Sequence, residues 1–201
     1  MPILKQSEST FEPVPPGTHP ARCYAMISLG TQLPNNPQFK PSFKVVLQFE
    51  FPNEQIEING ERKPMMTGQF LSAYLGSVKK PSKTNEFLTA WRGRPFTEQE
   101  LSGFDLSKVV GAPCLLNIVH EERNGKTREK IASISPLPKG MSVAAQINPT
   151  VIYEIEQGRD KVFQSLPEWM QKMIEACDEW QHPAAAPEPE QEETPSDDVP
   201  F

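Results

Sequence analysis

The sequence predicts a mainly β fold with α elements. The expected body is a small, partly open β-barrel with a helical insertion, followed by a C-terminal helix and a disordered acidic tail. Three observations carry this reading. Apolar residues recur with period two over 18–29 and 43–51, an Asn124-Gly125 turn separates an apolar strand from a segment that carries Ile131 and Ile134, and two Ser/Thr-x-x-Glu boxes mark helix starts. Period two places alternate side chains on opposite faces of a strand, whereas the boxes satisfy the free N–H groups of a helix N-terminus.

Residues 1–17 are rich in Pro and Ser and read as a flexible N-terminal arm. In the first strand Ala21, Cys23, Ala25, Ile27 and Leu29 share one face, and Arg22, Tyr24, Met26 and Ser28 the other. A loop over 30–41 leads to the clearest strand, where Phe43, Val45, Leu47, Phe49 and Phe51 point inward and Lys44, Gln48 and Glu50 outward. Asn59-Gly60 is a hairpin signal, and residues 65–75 form the third strand. Ser82 to Trp91 reads as a short helix, and Thr97-Glu98-Gln99-Glu100 opens a second. Strands over 112–120 and 126–135 flank Asn124-Gly125, the strongest hairpin signal in the chain.

The barrel domain therefore spans 18–140, and 141–181 is a C-terminal extension. Ser165-Leu166-Pro167-Glu168 predicts a helix over about 166–180 with Leu166, Met170, Met173, Ile174 and Cys177 on one stripe. Five strands with a helical insertion before the last hairpin suit an OB-like barrel, the small barrel that most often holds single-stranded nucleic acid.

Charge is unevenly spread. The formal net charge is −6. Residues 183–201 hold six acids and no cation, and residues 150–182 hold seven acids against three cations. Residues 1–149 keep 17 cations against 13 acids, about +4. A mildly basic body joined to an acidic segment points to nucleic acid on the one and a competing or recruiting role for the other. Cys23, Cys114 and Cys177 are far apart with no CxxC and read as reduced core residues of a cytoplasmic protein. Polar residues follow Met1–Lys5, so no secretory leader is expected, and no run reaches the ~18 apolar residues of a membrane span.

Single-strand binders combine cations for phosphates with aromatic faces for bases. Candidate DNA-binding residues are Arg22 and Tyr24 on the first strand, Phe39 and Lys40 in the following loop, and Lys79 and Lys80 before the insertion. Trp91, Arg92 and Arg94 lie in the insertion, and Arg123, Lys126 and Arg128 on the last hairpin. Trp91 keeps two readings, a core residue of its helix or a base-stacking ring. No GxGxxG, Walker A, HExxH or GxSxG motif is present, and the sequence calls for no cofactor and no metal. His120-Glu121-Glu122 leaves a metal-dependent nuclease or recombination accessory enzyme as one alternative, and an adaptor acting only through its tail as another.

Residues 182–201 carry a proline every few positions and should be disordered. They finish in Asp197-Asp198-Val199-Pro200-Phe201, which resembles the tip of bacterial and phage single-stranded-DNA-binding proteins, with two Asp residues in place of a longer acidic run. The segments Phe11–Thr18, Gly93–Thr97, Ser135–Gly140 and Leu166–Trp169 together resemble bacteriophage-type replication and recombination proteins that bind single-stranded DNA. The resemblance implies a non-enzymatic protein of DNA replication, recombination or repair. Its body coats single strands and its tip recruits a partner enzyme through Phe201. Self-association into a homo-oligomer is left open.

Overall fold

The computed structural model describes residues 12–182 except 35, 37, 59 and 124, together with the backbone but not the side chains of Arg123 and Lys126. Residues 1–11 of the expected arm and the tail from 183 onward, including the tip residues, lie outside the described residues. The main sheet is antiparallel and strongly curled, a half-barrel in an OB-like, mainly β fold with helices. Its strands are β1 (Gly17–Gln32), β2 (Ser42–Ile58), β3 (Glu61–Ser72), β4 (Pro113–Arg123) and β5 (Lys126–Ser135), in the order β3-β2-β1-β4-β5. β1 pairs with both β2 and β4, and no described pairing joins β3 to β5. This is the path of a five-stranded Greek-key barrel left open between its third and fifth strands. The insertion between β3 and β4 carries α1 (Lys83–Arg92) and α2 (Glu98–Ser102). After β5, the short β6 (Val151–Tyr153) adds to β1 in parallel, followed by α3 (Lys161–Ser165), α4 (Glu168–Glu175) and α5 (Asp178–Gln181).

β1 does not keep one alternation along its length. Its register against β2 shifts between Cys23 and Ala25 and again between Ser28 and Gly30. A bulge inserts an unpaired residue and reverses which face the following side chains take. Ala21 and Cys23 therefore pack in the barrel interior with Met26, while Ala25, Ile27 and Leu29 turn to the opposite face. Tyr24 joins that second face, which is a core in its own right. Residues 141–181 cover it with Tyr153, Ile155, Phe163, Leu166, Met170 and Ile174. The expected row Val45, Leu47, Phe49 and Phe51 of β2 does fill the barrel interior.

Glu50 corrects the expectation of a solvated outer row on β2. It is 0% exposed. Its carboxylate accepts from Ile147 N at 2.7 Å, Asn148 N at 2.8 Å and Asn148 Nδ2 at 2.7 Å. A buried carboxylate needs such donors to offset its lost hydration. Glu50 thereby pins the connection between β5 and β6 across the outer face of β2.

The insertion follows its caps. The Ser82 hydroxyl accepts from Asn85 N at 3.1 Å, and Gly93 ends α1 in the left-handed conformation at φ +67. Thr97 and Glu100 form the expected capping box on α2. At the C-terminal end the box at Ser165 is not used. The Ser165 hydroxyl donates to Val162 O at 2.7 Å and belongs to the last turn of α3. Leu166 precedes Pro167, which disfavours helical backbone at Leu166, so it is extended at ψ 151 and the next helix starts only at Glu168. A second break at Cys177 separates α4 from α5 and sets that thiol against Gly30. A Cβ on Gly30 would lie 2.6 Å from Cys177 Cβ, so β1 needs glycine there for α5 to dock. Glu179 completes the joint by accepting from Thr31 N at 2.8 Å and Thr31 Oγ1 at 2.6 Å. All three cysteines are free and buried, and burial pushes the Cys23 thiol up to about 12.

Candidate nucleic-acid interface

Four of the expected contact residues are committed to the fold instead. Tyr24 is 8% exposed, and its hydroxyl donates to Gln48 Oε1 at 2.6 Å, with Met66 Sδ 3.2 Å away. Burial, with the Glu50 charge nearby, pushes this phenol up to about 12. The sequence reading placed Tyr24 opposite Cys23 correctly but took that face for solvent. Arg22 donates Nη1 to Gly111 O at 2.6 Å and Nη2 to Ala144 O at 3.4 Å, tying β1 to two connections. Trp91 resolves to its core reading. It is 5% exposed, donates Nε1 to Pro113 O at 3.0 Å, and lies 5.4 Å from the Phe49 ring.

Arg92 pairs with Glu100 and stacks over Phe96 at 4.2 Å and Phe104 at 5.2 Å. Arg94 reaches the same carboxylate at 2.8 Å but remains exposed. The Arg94 hydrogen bonds and the Thr97 N–H hold the Glu100 carboxyl down at about 2. Glu100 thus closes the helix cap and pairs with two of the cations expected for phosphates.

The remaining candidates whose side chains are described are exposed. Phe39 and Lys40 stand on the β1–β2 loop, Lys79 and Lys80 on the β3–α1 connection, and Arg128 on β5 opposite Glu121. The side chains of Arg123 and Lys126 lie outside the described residues. In an OB-like barrel the face of strands 2 and 3 holds the ligand, flanked by the 1–2 and 4–5 loops. Phe39 and Lys40 occupy the first of these loops, and Arg128 leads out of the second.

The face between those loops carries residues that sequence reasoning missed. Met66, Gly68 and Phe70 of β3 are exposed in alternation, while Met65 and Leu71 are buried. Trp169 of α4 lies beside Phe70, with ring centroids 6.0 Å apart and both rings 46% exposed. Gly68, opposite Gln48, leaves the surface between Met66 and Phe70 low. The Met-x-Gly-x-Phe alternation was available in the sequence. The arrival of Trp169 beside it was not, because it depends on α4 packing over β1.

His120, the residue behind the nuclease alternative, bonds Val14 O through Nε2 at 2.8 Å, and Glu121 pairs with Lys130 at 2.5 Å. Among the described residues no group of three or more His, Cys, Asp or Glu side chains is placed to share a metal ion. No described helix is long and apolar enough to cross a membrane. No protein-family model and no curated protein matches the chain.

Proposed function

We propose that the protein binds single-stranded DNA with little sequence preference, as a non-enzymatic component of phage or prophage replication or recombination. The observation that supports this most is the exposed Phe70–Trp169 pair on the β2–β3 face of an OB-like barrel. Every base has a π-face, so stacking on such rings is tolerant of sequence. Phe39, Lys40 and Arg128 flank that face, and the body carries an excess of cations. A gel shift with one oligonucleotide, single-stranded and then annealed to its complement, tests the reading. The single strand should shift and the duplex should not. Equal retention of both would sink it.

The tip Asp197-Asp198-Val199-Pro200-Phe201 is proposed to recruit a replication or recombination enzyme. The Phe201 ring would enter an apolar pocket, and basic residues would receive the two Asp. Phe201→Ala should leave DNA affinity unchanged and abolish co-purification of that partner, because the anchoring ring carries the specific contact. If Phe201→Ala kept every partner of the unaltered protein, the tip would have no such role.

A further inference from the structure

A cleft of about 520 Å³ opens between the end of the sheet and the helical insertion. Its size falls within the range of roughly 300–1,000 Å³ usual for small-molecule sites. The floor is barrel interior, with Met26 and Ser28 from β1 and Phe43 and Val45 from β2. One wall is 72–76 and the other is 101–107. The bulge after Ser28 belongs to the same strand irregularity described above, and Ser28 places a hydroxyl on an otherwise apolar floor.

The turn that follows the 72–76 wall is held closed by backbone hydrogen bonds and carries two cations. Ser77 N donates to Lys80 O at 3.0 Å, Lys80 N to Ser77 O at 3.2 Å, and Ser82 N to Leu75 O at 3.1 Å. Gly76 bridges Pro81 at φ +78, where a Cβ would meet Lys80 O at 2.4 Å. Only glycine closes this turn, and its closure presents Lys79 and Lys80 to solvent. Neither lysine pairs with a carboxylate among the described residues. Tyr74, 68% exposed, stands on the same wall.

The acids lie elsewhere. Asp105 comes from the opposite wall, where its carboxylate accepts from Ser107 N and Oγ, and Glu154 follows β6. Both acids are exposed and sit at the mouth of the cleft, where they oppose a phosphate, while the cations of the adjoining 77–82 turn attract one just outside. This division suits an uncharged ring with an anionic link on each side. Carboxylate and hydroxyl oxygens also suit the N–H groups on a base edge.

We propose that the cleft takes one unstacked nucleobase of a bound single strand, with Tyr74 against the ring and Lys79 and Lys80 on the flanking phosphates. This rests on the DNA-binding reading above and adds a second aromatic site to the Phe70–Trp169 face. The test uses the full chain and an oligo(dT) strand bearing 5-iodouracil, photo-crosslinked and mapped by mass spectrometry. Adducts are expected on Tyr74 or Phe104 in addition to the β3 face. Ala73→Leu, at an exposed position on the cleft wall, should remove those adducts. It should also lower affinity about tenfold, the order expected for one stacked base. Tyr74→Ala should lower affinity similarly, with an unchanged thermal melt. If the protein binds the strand but adducts form only on Phe70 and Trp169, or persist at Tyr74 in Ala73→Leu, the cleft holds no base and the DNA-binding reading stands. If the unaltered protein does not bind the strand, both readings fall.

Discussion

Replacing Trp91 by Ala is expected to cost about 3–5 kcal/mol of folding stability, the usual range for truncating a buried large aromatic. Trp91 fills the space between α1 and the barrel, against Phe49 and the Phe87 ring at 6.5 Å. Its indole N–H is spent on Pro113 O, so truncation also leaves that carbonyl without its donor. Urea unfolding of the variant should show a large drop in midpoint with little change in slope. DNA affinity of the folded fraction should stay as it was. A variant with unaltered stability and weakened DNA binding would return Trp91 to its base-stacking reading.

Phe70→Ala and Trp169→Ala are expected to behave in the opposite way. Both rings are about half exposed, so each loses little core packing on truncation. Stacking on an aromatic ring contributes about 1–3 kcal/mol per base, so each variant should bind single-stranded DNA roughly 5- to 150-fold more weakly. The rings touch one another, so the double variant should lose less than the sum of the two single losses. Anisotropy titration of a labelled oligonucleotide, paired with thermal melts, separates the outcomes. Unchanged affinity in both single variants would remove the β2–β3 face from the proposed site.

Strand positions were legible in the sequence because the apolar rows of β2 and β4 alternate against one buried face. The parity of β1 was not legible beyond Cys23. A bulge leaves no residue signature there, and the residues on both sides of it are apolar. The second core escaped notice for a related reason. Its lid comes from 141–181, where the stripe from Leu166 to Cys177 could be read but not the surface it covers, so Tyr24 looked exposed when only half of its surroundings could be read. Glu50 shows the same limit from the polar side. An acid on the outward row of a strand reads as solvated until the backbone at Ile147 and Asn148 arrives to donate to it. The helix caps in the insertion were legible because a capping box is local, involving four consecutive residues. The second task of Glu100, holding Arg92 and Arg94, is a contact the box does not announce. At the C-terminal end the same four-residue pattern misled, because Pro167 acts on the residue before it.

The candidate site follows this division. The exposure of Lys79, Lys80, Phe39, Lys40 and Arg128 was legible because cations and loop aromatics declare themselves by their neighbours. Phe70 and Trp169 are far apart in sequence and become a pair only once α4 lies across the outer face of β1 and β2.

The most direct measurement is a titration of the protein with oligo(dT), read by intrinsic tryptophan fluorescence at several salt concentrations. The account predicts quenching that Trp169→Phe removes, since Trp91 is buried and Trp180 is held between Phe163 and Arg159. It also predicts affinity that falls as salt rises, with a log–log slope of about −0.7 for each phosphate neutralised. No quenching at low salt, or an affinity indifferent to salt, would contradict it.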